Sequence, residues 1–185
     1  YLKLCLNSIK KNSKFNHEII IHVNEGSDGT LDYIKAQKYK HSFNERNAGV
    51  CVAFNNAAKL STKKYIVLAH DDMYFCPGWD ECFYNELKNI DQKDFFLSGT
   101  MVQPFESYIN LDCGKSFADF NENKLLNTLP QIKFDNFQGT HWQPSLIPNS
   151  TWNKVSGFSE EFSPGLGSDP DFNMKLWKIG VRIFK

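Results

Sequence analysis

The sequence has no CxxC pair, no long apolar run and no excess of charge of either sign. Its 21 Lys and Arg residues balance its 21 Asp and Glu residues, which argues against a general nucleic-acid or membrane-surface binder. No apolar run approaches the length of a membrane span, so we expect no membrane segment in this chain. The five cysteines are odd in number and scattered, which predicts neither a disulfide framework nor a zinc site. A reducing, cytoplasmic compartment is the natural expectation.

The composition and periodicity predict one α/β domain over residues 1–185. Aromatic residues make up 15% of the chain, including 16 phenylalanines, as expected of a packed core. Apolar strand patterns at residues 18–23, 65–69 and 95–99 alternate with helical patterns, which predicts a mostly parallel sheet flanked by helices. The chain begins within a helical pattern, and in an alternating α/β fold a strand precedes each helix. We therefore expect a fragment cut at both ends, with a first strand before Tyr1.

The apolar run at residues 65–69 leads directly into His70, Asp71 and Asp72. The run has the length of a strand buried on both faces, and open α/β sheets bind ligands at the carboxyl ends of their strands. Adjacent carboxylates are costly unless positive charge neutralises them. A divalent cation, which takes oxygen ligands, would do so while it holds a phosphorylated ligand. The alternative is a solvated turn after a core strand.

Two polar loops lie upstream of the acid pair. Residues 24–30 follow a strand pattern and contain two glycines, which allow a backbone to approach a ligand closely. The alternative is an ordinary turn in which Thr30 caps the next helix. Residues 43–49 lead into a second helix, and a helix N-terminus beside Arg46 suits an anion. The alternative there is a solvated or salt-bridged arginine.

The second half of the chain is less regular. Periodicity dissolves between residues 101 and 149, and long irregular segments in a compact domain are usually functional or mobile. Aromatic, amide and imidazole side chains there, including His141 and Trp142, would suit a polyhydroxylated acceptor, whereas the alternative is a connecting excursion. Farther on, Asp169 and Pro170 predict a helix start, with Asp169 as the N-cap.

Five motifs in this order resemble the family 2 glycosyltransferases, which have the GT-A fold, over nearly the whole chain. The first three are Asn-Glu-Gly-Ser-Asp-Gly-Thr at residues 24–30, Asn-Ala-Gly-Val-Cys-Val-Ala-Phe-Asn at residues 47–55, and His-Asp-Asp at residues 70–72, followed by Pro-Gly-Trp at residues 77–79. The last two are Gly-Phe-Ser-Glu at residues 157–160 and Gly-Ser-Asp-Pro-Asp at residues 167–171. In this order, the five motifs look like the family's nucleotide loop, the helix after that loop, the metal motif, the Gly-Phe-Asp-Glu segment and the motif that contains the catalytic base.

The resemblance implies an inverting, metal-dependent hexosyltransferase that uses a nucleoside-diphosphate sugar donor and a carbohydrate or lipid-linked saccharide acceptor. It implies a donor-binding half at residues 1–100, an acceptor-binding half at residues 101–185, and Mg²⁺ or Mn²⁺ as the cofactor. The implied donor-binding residues are Asn24, Glu25, Ser27, Arg46, Asn47, Gly49 and Asp71. The implied metal ligands are Asp72 and Asp71, the catalytic residues Asp169 and, second to it, Asp171, and the acceptor-binding residues His141 and Trp142.

The sequence also departs from the family pattern. Asn24 replaces the acid that usually contacts the nucleotide base, and His70 replaces the first acid of the metal motif. Ser168 replaces the glutamate that usually precedes the catalytic aspartate. A nucleotidyltransferase of similar layout and a non-catalytic carbohydrate-binding or scaffold domain are therefore the two alternatives. Attachment to the inner face of a membrane, through parts outside this chain, is the alternative to a freely cytoplasmic location.

Overall fold

A computed structural model of the chain describes residues 1–105, 109–133, 135–136, 138–139 and 143–185. The first hundred residues alternate helices and strands: α1 (Leu2–Asn12), β1 (Ile20–Asn24), α2 (Thr30–Ala36), β2 (Lys40–Asn44), α3 (Val50–Ala58), β3 (Tyr65–Leu68), α4 (Trp79–Leu87) and β4 (Leu97–Ser98). The second half contains β5 (Val102–Gln103), β6 (Ile109–Asn110), α5 (Glu122–Thr128), β7 (Ser145–Pro148), α6 (Asn149–Lys154) and α7 (Ser168–Lys178). Short 3₁₀ turns occupy Leu129–Gln131 and Glu160–Phe162. None of the described helices has both the length and the apolar character to span a membrane.

The strands form three hydrogen-bonded groups. β1 and β2 are parallel, in a register that pairs Ile20 with Lys40 and Asn24 with Asn44. β7 lies between β3 and β4 and runs antiparallel to both, so β3 and β4 point in the same direction. β5 and β6 are a short parallel pair. The predicted α/β architecture is thus confirmed, and β7 makes its sheet mixed.

Two local expectations and one alternative interpretation were wrong. The polar stretch from Lys40 to Asn44 forms β2, where no strand was predicted, because pairing with β1 outweighs its weak strand pattern. A short helix, α5, interrupts the segment expected to be irregular, and the Asn121 side chain caps it by accepting from the Lys124 amide at 2.9 Å. Thr30 is the first residue of α2 and not its cap, because Gly29 takes that position with φ of 86°.

Asp169 is not the N-cap of α7 either. Gly167 takes the cap position with φ of 86°, a left-handed conformation that glycine adopts without strain. Ser168 and Asp169 are then the first two helical residues. Asp169 still lies in the first turn, where the helix dipole favours a negative charge.

The largest core cluster joins α3, β3, β7, α6 and α7. Its buried members include Trp152, Phe158, Phe172 and Leu176. Phe158 and Phe172 have ring centroids 4.7 Å apart, and Trp152 packs against both rings. This aromatic cluster fixes α7, and with it Asp169, against the sheet.

Candidate functional site

Asn24, the last residue of β1, joins two of the predicted motifs. Its Oδ1 accepts from the Ala48 amide at 3.1 Å, and its Nδ2 donates to the Gly49 carbonyl at 3.4 Å. The loop after β1 is thereby tied to the start of α3. A carboxamide has two N–H hydrogens, and among the described residues the second Nδ2 hydrogen of Asn24 has no acceptor.

The chain turns sharply at Glu25 and Gly26, directly after β1. Both have positive φ, 77° and 74°. A Cβ on Gly26 would lie 2.8 Å from a methyl carbon of Val23, so only glycine fits there. Glu25 holds a conformation that is rare for a non-glycine residue, and such strain often marks functional sites. Its side chain is exposed, as is that of Ser27.

The start of α3 is packed against the loop that leads to α7. The Val50 amide donates to the Pro164 carbonyl at 2.9 Å, and a Cβ on Gly49 would lie 2.8 Å from the Pro164 Cα. The Gly49 amide donates to Asn47 Oδ1 at 2.9 Å. Together with the bond from Ala48, this occupies the three amides at residues 48–50 within the protein. Arg46 is exposed beside them.

The acid pair lies on an exposed turn after β3, with both carboxylates in solvent. No described residue donates a hydrogen bond to Asp71 or Asp72. The His70 ring packs edge-on against Phe54 of α3, with centroids 5.4 Å apart. Cys5 of α1 donates from Sγ to the His70 carbonyl at 3.7 Å. Burial raises the pKa of Cys5 to about 12, and the negative charges of Asp71 and Asp72 add to that shift.

The acid pair offers part of a metal site. Among the described residues no three His, Cys, Asp or Glu side chains cluster around one point that could hold an ion. Two exposed carboxylates to which no described residue donates nevertheless suit a hard cation such as Mg²⁺, which usually keeps water and substrate phosphate oxygens as its other ligands. Asp71 and Asp72 therefore fit a metal that arrives with, or is completed by, a phosphorylated ligand.

The two candidate catalytic carboxylates have different environments. Gln143 Nε2 donates to Asp169 Oδ1 at 3.3 Å, and Asp169 is half-buried. Asp171 Oδ2 instead accepts from Ser159 Oγ at 2.6 Å. Lys175 Nζ lies 3.3 Å from the same Ser159 oxygen. Each carboxylate thus has one oxygen held by a side chain, and in the described parts of the chain neither Asp169 Oδ2 nor Asp171 Oδ1 has a hydrogen-bond partner.

Asn55 is a structural residue that the predicted site did not include. Its carboxamide is buried in α3, where Nδ2 donates to the Phe158 carbonyl at 2.9 Å and to Glu160 Oε1 at 3.0 Å. Its Oδ1 accepts from the Phe158 amide at 2.9 Å. A Cβ on Gly157 would lie 2.2 Å from that oxygen. Asn55 thereby connects two of the five motifs, and its place as the last residue of the motif at residues 47–55 was the available signal.

A cavity of about 1000 Å³ opens beside these loops. Five of the predicted site residues line it: Asn24, Glu25, Asn47, Gly49 and Asp71. Pro164 lines it as well, which places the loop before α7 at the same mouth. The other predicted residues that the structure describes, which do not line it, are Ser27, Arg46, Asp72, Asp169 and Asp171. The predicted acceptor residues His141 and Trp142 lie outside the described residues.

The body of this cavity lies between the edges of β1 and β3. Every residue of both strands lines it, and since successive side chains point to opposite faces, the space must adjoin the strand edges. Leu6 and Ile9 of α1 and Phe54 of α3 also line it. Among the described residues β1 pairs with β2 alone and β3 with β7 alone. The apolar run of β3 was predicted to be fully buried, yet only Leu68 is, because the rest borders this space.

Comparison with known proteins agrees with this geometry. The family model described as Glycosyl transferase family 2 matches residues 1–140. No curated protein is similar enough in sequence to match. The crystal structure of Staphylococcus aureus TarS 1–349 superposes with a TM-score of 0.64 and 16% sequence identity. The structure of the same protein in complex with UDP gives a TM-score of 0.64 and 19% identity. Each covers 96% of this chain, which spans only 51% of either TarS chain.

Proposed function

Since the chain belongs to glycosyl transferase family 2, we propose that it moves a sugar from a nucleoside-diphosphate sugar to an acceptor hydroxyl, with inversion at the anomeric carbon. The observation that supports this most is the meeting of three segments at one cavity mouth: the loop after β1, the start of α3 and the acid pair after β3. Each segment follows the carboxyl end of a strand, and α/β sheets bind their ligands at that edge. The GT-A fold shared with TarS supports the same assignment.

The donor nucleotide binds at this mouth. Asn24, Glu25 and Ser27 contact the base and ribose, and the remaining Asn24 amide hydrogen can meet the edge of a base. Asp71, which lines the same cavity, contacts the ribose. Because TarS is described in complex with UDP, uridine diphosphate sugars are the first donors to test.

The diphosphate lies near the start of α3. Because the amides of residues 48–50 donate within the protein, they are not available to an anion. The exposed guanidinium of Arg46 supplies the positive charge, while Asn47 and Gly49 shape the loop beneath it. This assigns a supporting role to Asn47 and Gly49 and a direct contact to Arg46.

A divalent cation, Mg²⁺ or Mn²⁺, is held chiefly by Asp72, with Asp71 as a second or outer ligand. Both carboxylates are exposed and without donors among the described residues, so they remain free for a cation. When bound, the ion neutralises the charge that develops on the leaving diphosphate.

Asp169 takes the proton from the acceptor hydroxyl as that oxygen attacks the anomeric carbon. General-base assistance of this type contributes typically about 10²–10⁴-fold. We assign this role to Asp169 before Asp171 because Asp171 accepts the shorter hydrogen bond, 2.6 Å from Ser159 against 3.3 Å from Gln143 to Asp169, and a tighter bond to the carboxylate makes it a weaker base. The acceptor is a carbohydrate or a lipid-linked saccharide, bound by residues 101–185 with His141 and Trp142. The transferred sugar is a hexose, and transfer takes place in the cytoplasm.

The test of the donor site is titration of a panel of nucleoside-diphosphate sugars with the full-length protein and Mn²⁺. We expect binding that a chelator removes, that Asp72→Asn abolishes and that Asp71→Asn only weakens. The exposed Asp32 of α2 offers a matched control, since Asp32→Asn should leave donor affinity unchanged. Equal donor affinity in wild type and Asp72→Asn would contradict the metal assignment.

A further inference from the structure

A buried glutamine faces the proposed base. Gln143 is only 9% exposed, and its side-chain amide donates to one oxygen of the Asp169 carboxylate at 3.3 Å. Buried carboxamides are normally hydrogen-bonded, and this one directs its donor at a carboxylate 26 residues away. We propose that Gln143 is the positioning residue for Asp169, fixing the carboxylate so that its second oxygen meets the acceptor hydroxyl. This inference rests on the proposed function.

The backbone beside Gln143 is anchored to the sheet. The Gly99 amide donates to the Pro144 carbonyl at 2.7 Å, and a Cβ on Gly99 would lie 2.9 Å from the Pro144 ring. Ser145 then begins β7, where it pairs with Leu68 of β3 and Ser98 of β4. Gln143 therefore lies two residues before a central strand, on a segment of backbone that Gly99 and the start of β7 hold in place.

The chemistry of a carboxamide suits this task. An amide N–H orients a carboxylate without bringing a positive charge, whereas Lys or Arg would form an ion pair that competes with proton uptake. The neighbouring Asp171 accepts from the Ser159 hydroxyl, to which Lys175 donates in turn. Gln143 thus fixes the orientation of the Asp169 carboxylate without removing its ability to accept a proton.

Replacement of Gln143 by methionine removes the donor and keeps nearly the same length and burial. We expect Gln143→Met to lower kcat by about 10-fold or more, because small displacements of a catalytic group are costly. The KM for the donor should stay within about 2-fold of wild type, because Gln143 is assigned no donor contact. The exposed Gln131 supplies the control, since Gln131→Met should change neither constant.

A double-mutant cycle separates positioning from general structural damage. If Gln143 acts through Asp169, Gln143→Met should have almost no further effect on kcat in the Asp169→Asn background. An equal fold-loss in both backgrounds, or a loss confined to the donor KM, would overturn the proposal. If Gln143→Met does not fold, Gln143→Leu takes its place in the cycle, because it also lacks the amide donor and brings no charge next to Asp169.

A spectroscopic measurement tests the contact without any activity. In the NMR spectrum of the uniformly ¹⁵N-labelled protein, the side-chain amide signals of Gln143 should move in Asp169→Asn and stay in place in Asp171→Asn. If these signals respond as expected but the wild type transfers no sugar, the proposed function fails while the contact stands. If they do not respond to Asp169→Asn, the positioning role is wrong whatever the enzyme does.

Discussion

Replacement of Asn55 by alanine should cost more stability than any other single polar substitution in α3. The side chain is 7% exposed and satisfies both backbone groups of Phe158, a residue that is itself only 4% exposed. In Asn55→Ala the Phe158 amide and carbonyl remain buried without partners. Each such group costs about 1–3 kcal/mol, so we expect a loss of about 2–6 kcal/mol. That is a large fraction of the roughly 5–15 kcal/mol by which domains are stable.

The assay is urea unfolding followed by fluorescence of the four tryptophans. The neighbouring Asn56 is the matched control: its Oδ1 accepts only an exposed bond from Lys59 Nζ at 3.2 Å. Asn56→Ala should change stability by no more than about 0.5 kcal/mol. If Asn55→Ala lost less than about 1 kcal/mol, or no more than Asn56→Ala, the reasoning from buried unpaired groups would be refuted.

Two further predictions concern the acid limb of stability and the cavity between β1 and β3. Burial by itself raises the pKa of Asp80. Hydrogen bonds from the Phe15 and Lys14 amides and from the His17 ring lower it by more, so the folded-state pKa lies below its ordinary value of 3.8. Asp80 therefore contributes to the free energy of unfolding in full at pH values above its ordinary pKa, and this stabilisation is lost as the pH falls through the lower folded-state pKa. Urea titrations at acid and neutral pH should show that Asp80→Asn loses less stability between neutral and acid pH than the wild type does. An equal loss of stability in both proteins would contradict this. We also expect an apolar strand preceding Tyr1 to pair with both edges of the cavity. A longer chain that contains such a strand should melt at a clearly higher temperature than residues 1–185, and equal melting temperatures would count against it.

Periodicity and turn residues were enough to predict most of the first hundred residues. The apolar runs gave β1 and β3, and glycine-rich loops gave the starts of α2 and α3. β2 was not predicted because His41, Ser42 and Asn44 form no apolar alternation. These residues form a strand because they pair with the edge of β1. Local sequence does not encode such a pairing, which depends on tertiary contacts.

The motif order predicted five residues that line one cavity but not the contacts that they make. The motif order placed Asn24, Gly49 and Asp71 around one cavity, as expected from strands that end at one edge. The role of Asp169 as a cap was wrong because residue type alone does not reveal the left-handed conformation of Gly167. Gln143 had no sequence signal, since its partner is 26 residues away. Contacts of this kind arise from packing and appear only in the folded chain.

The most direct test of glycosyl transfer is turnover by the full-length protein over a panel of donors and saccharide acceptors, with Mg²⁺ or Mn²⁺. We predict metal-dependent release of nucleoside diphosphate that an acceptor stimulates. Asp169→Asn should cut turnover by about 10²-fold or more with donor binding intact, whereas Asp171→Asn should cost much less. Near-normal turnover in Asp169→Asn with a loss in Asp171→Asn would make Asp171 the base. Absence of release with every donor and both metals, or no effect of either substitution, would contradict the transfer mechanism.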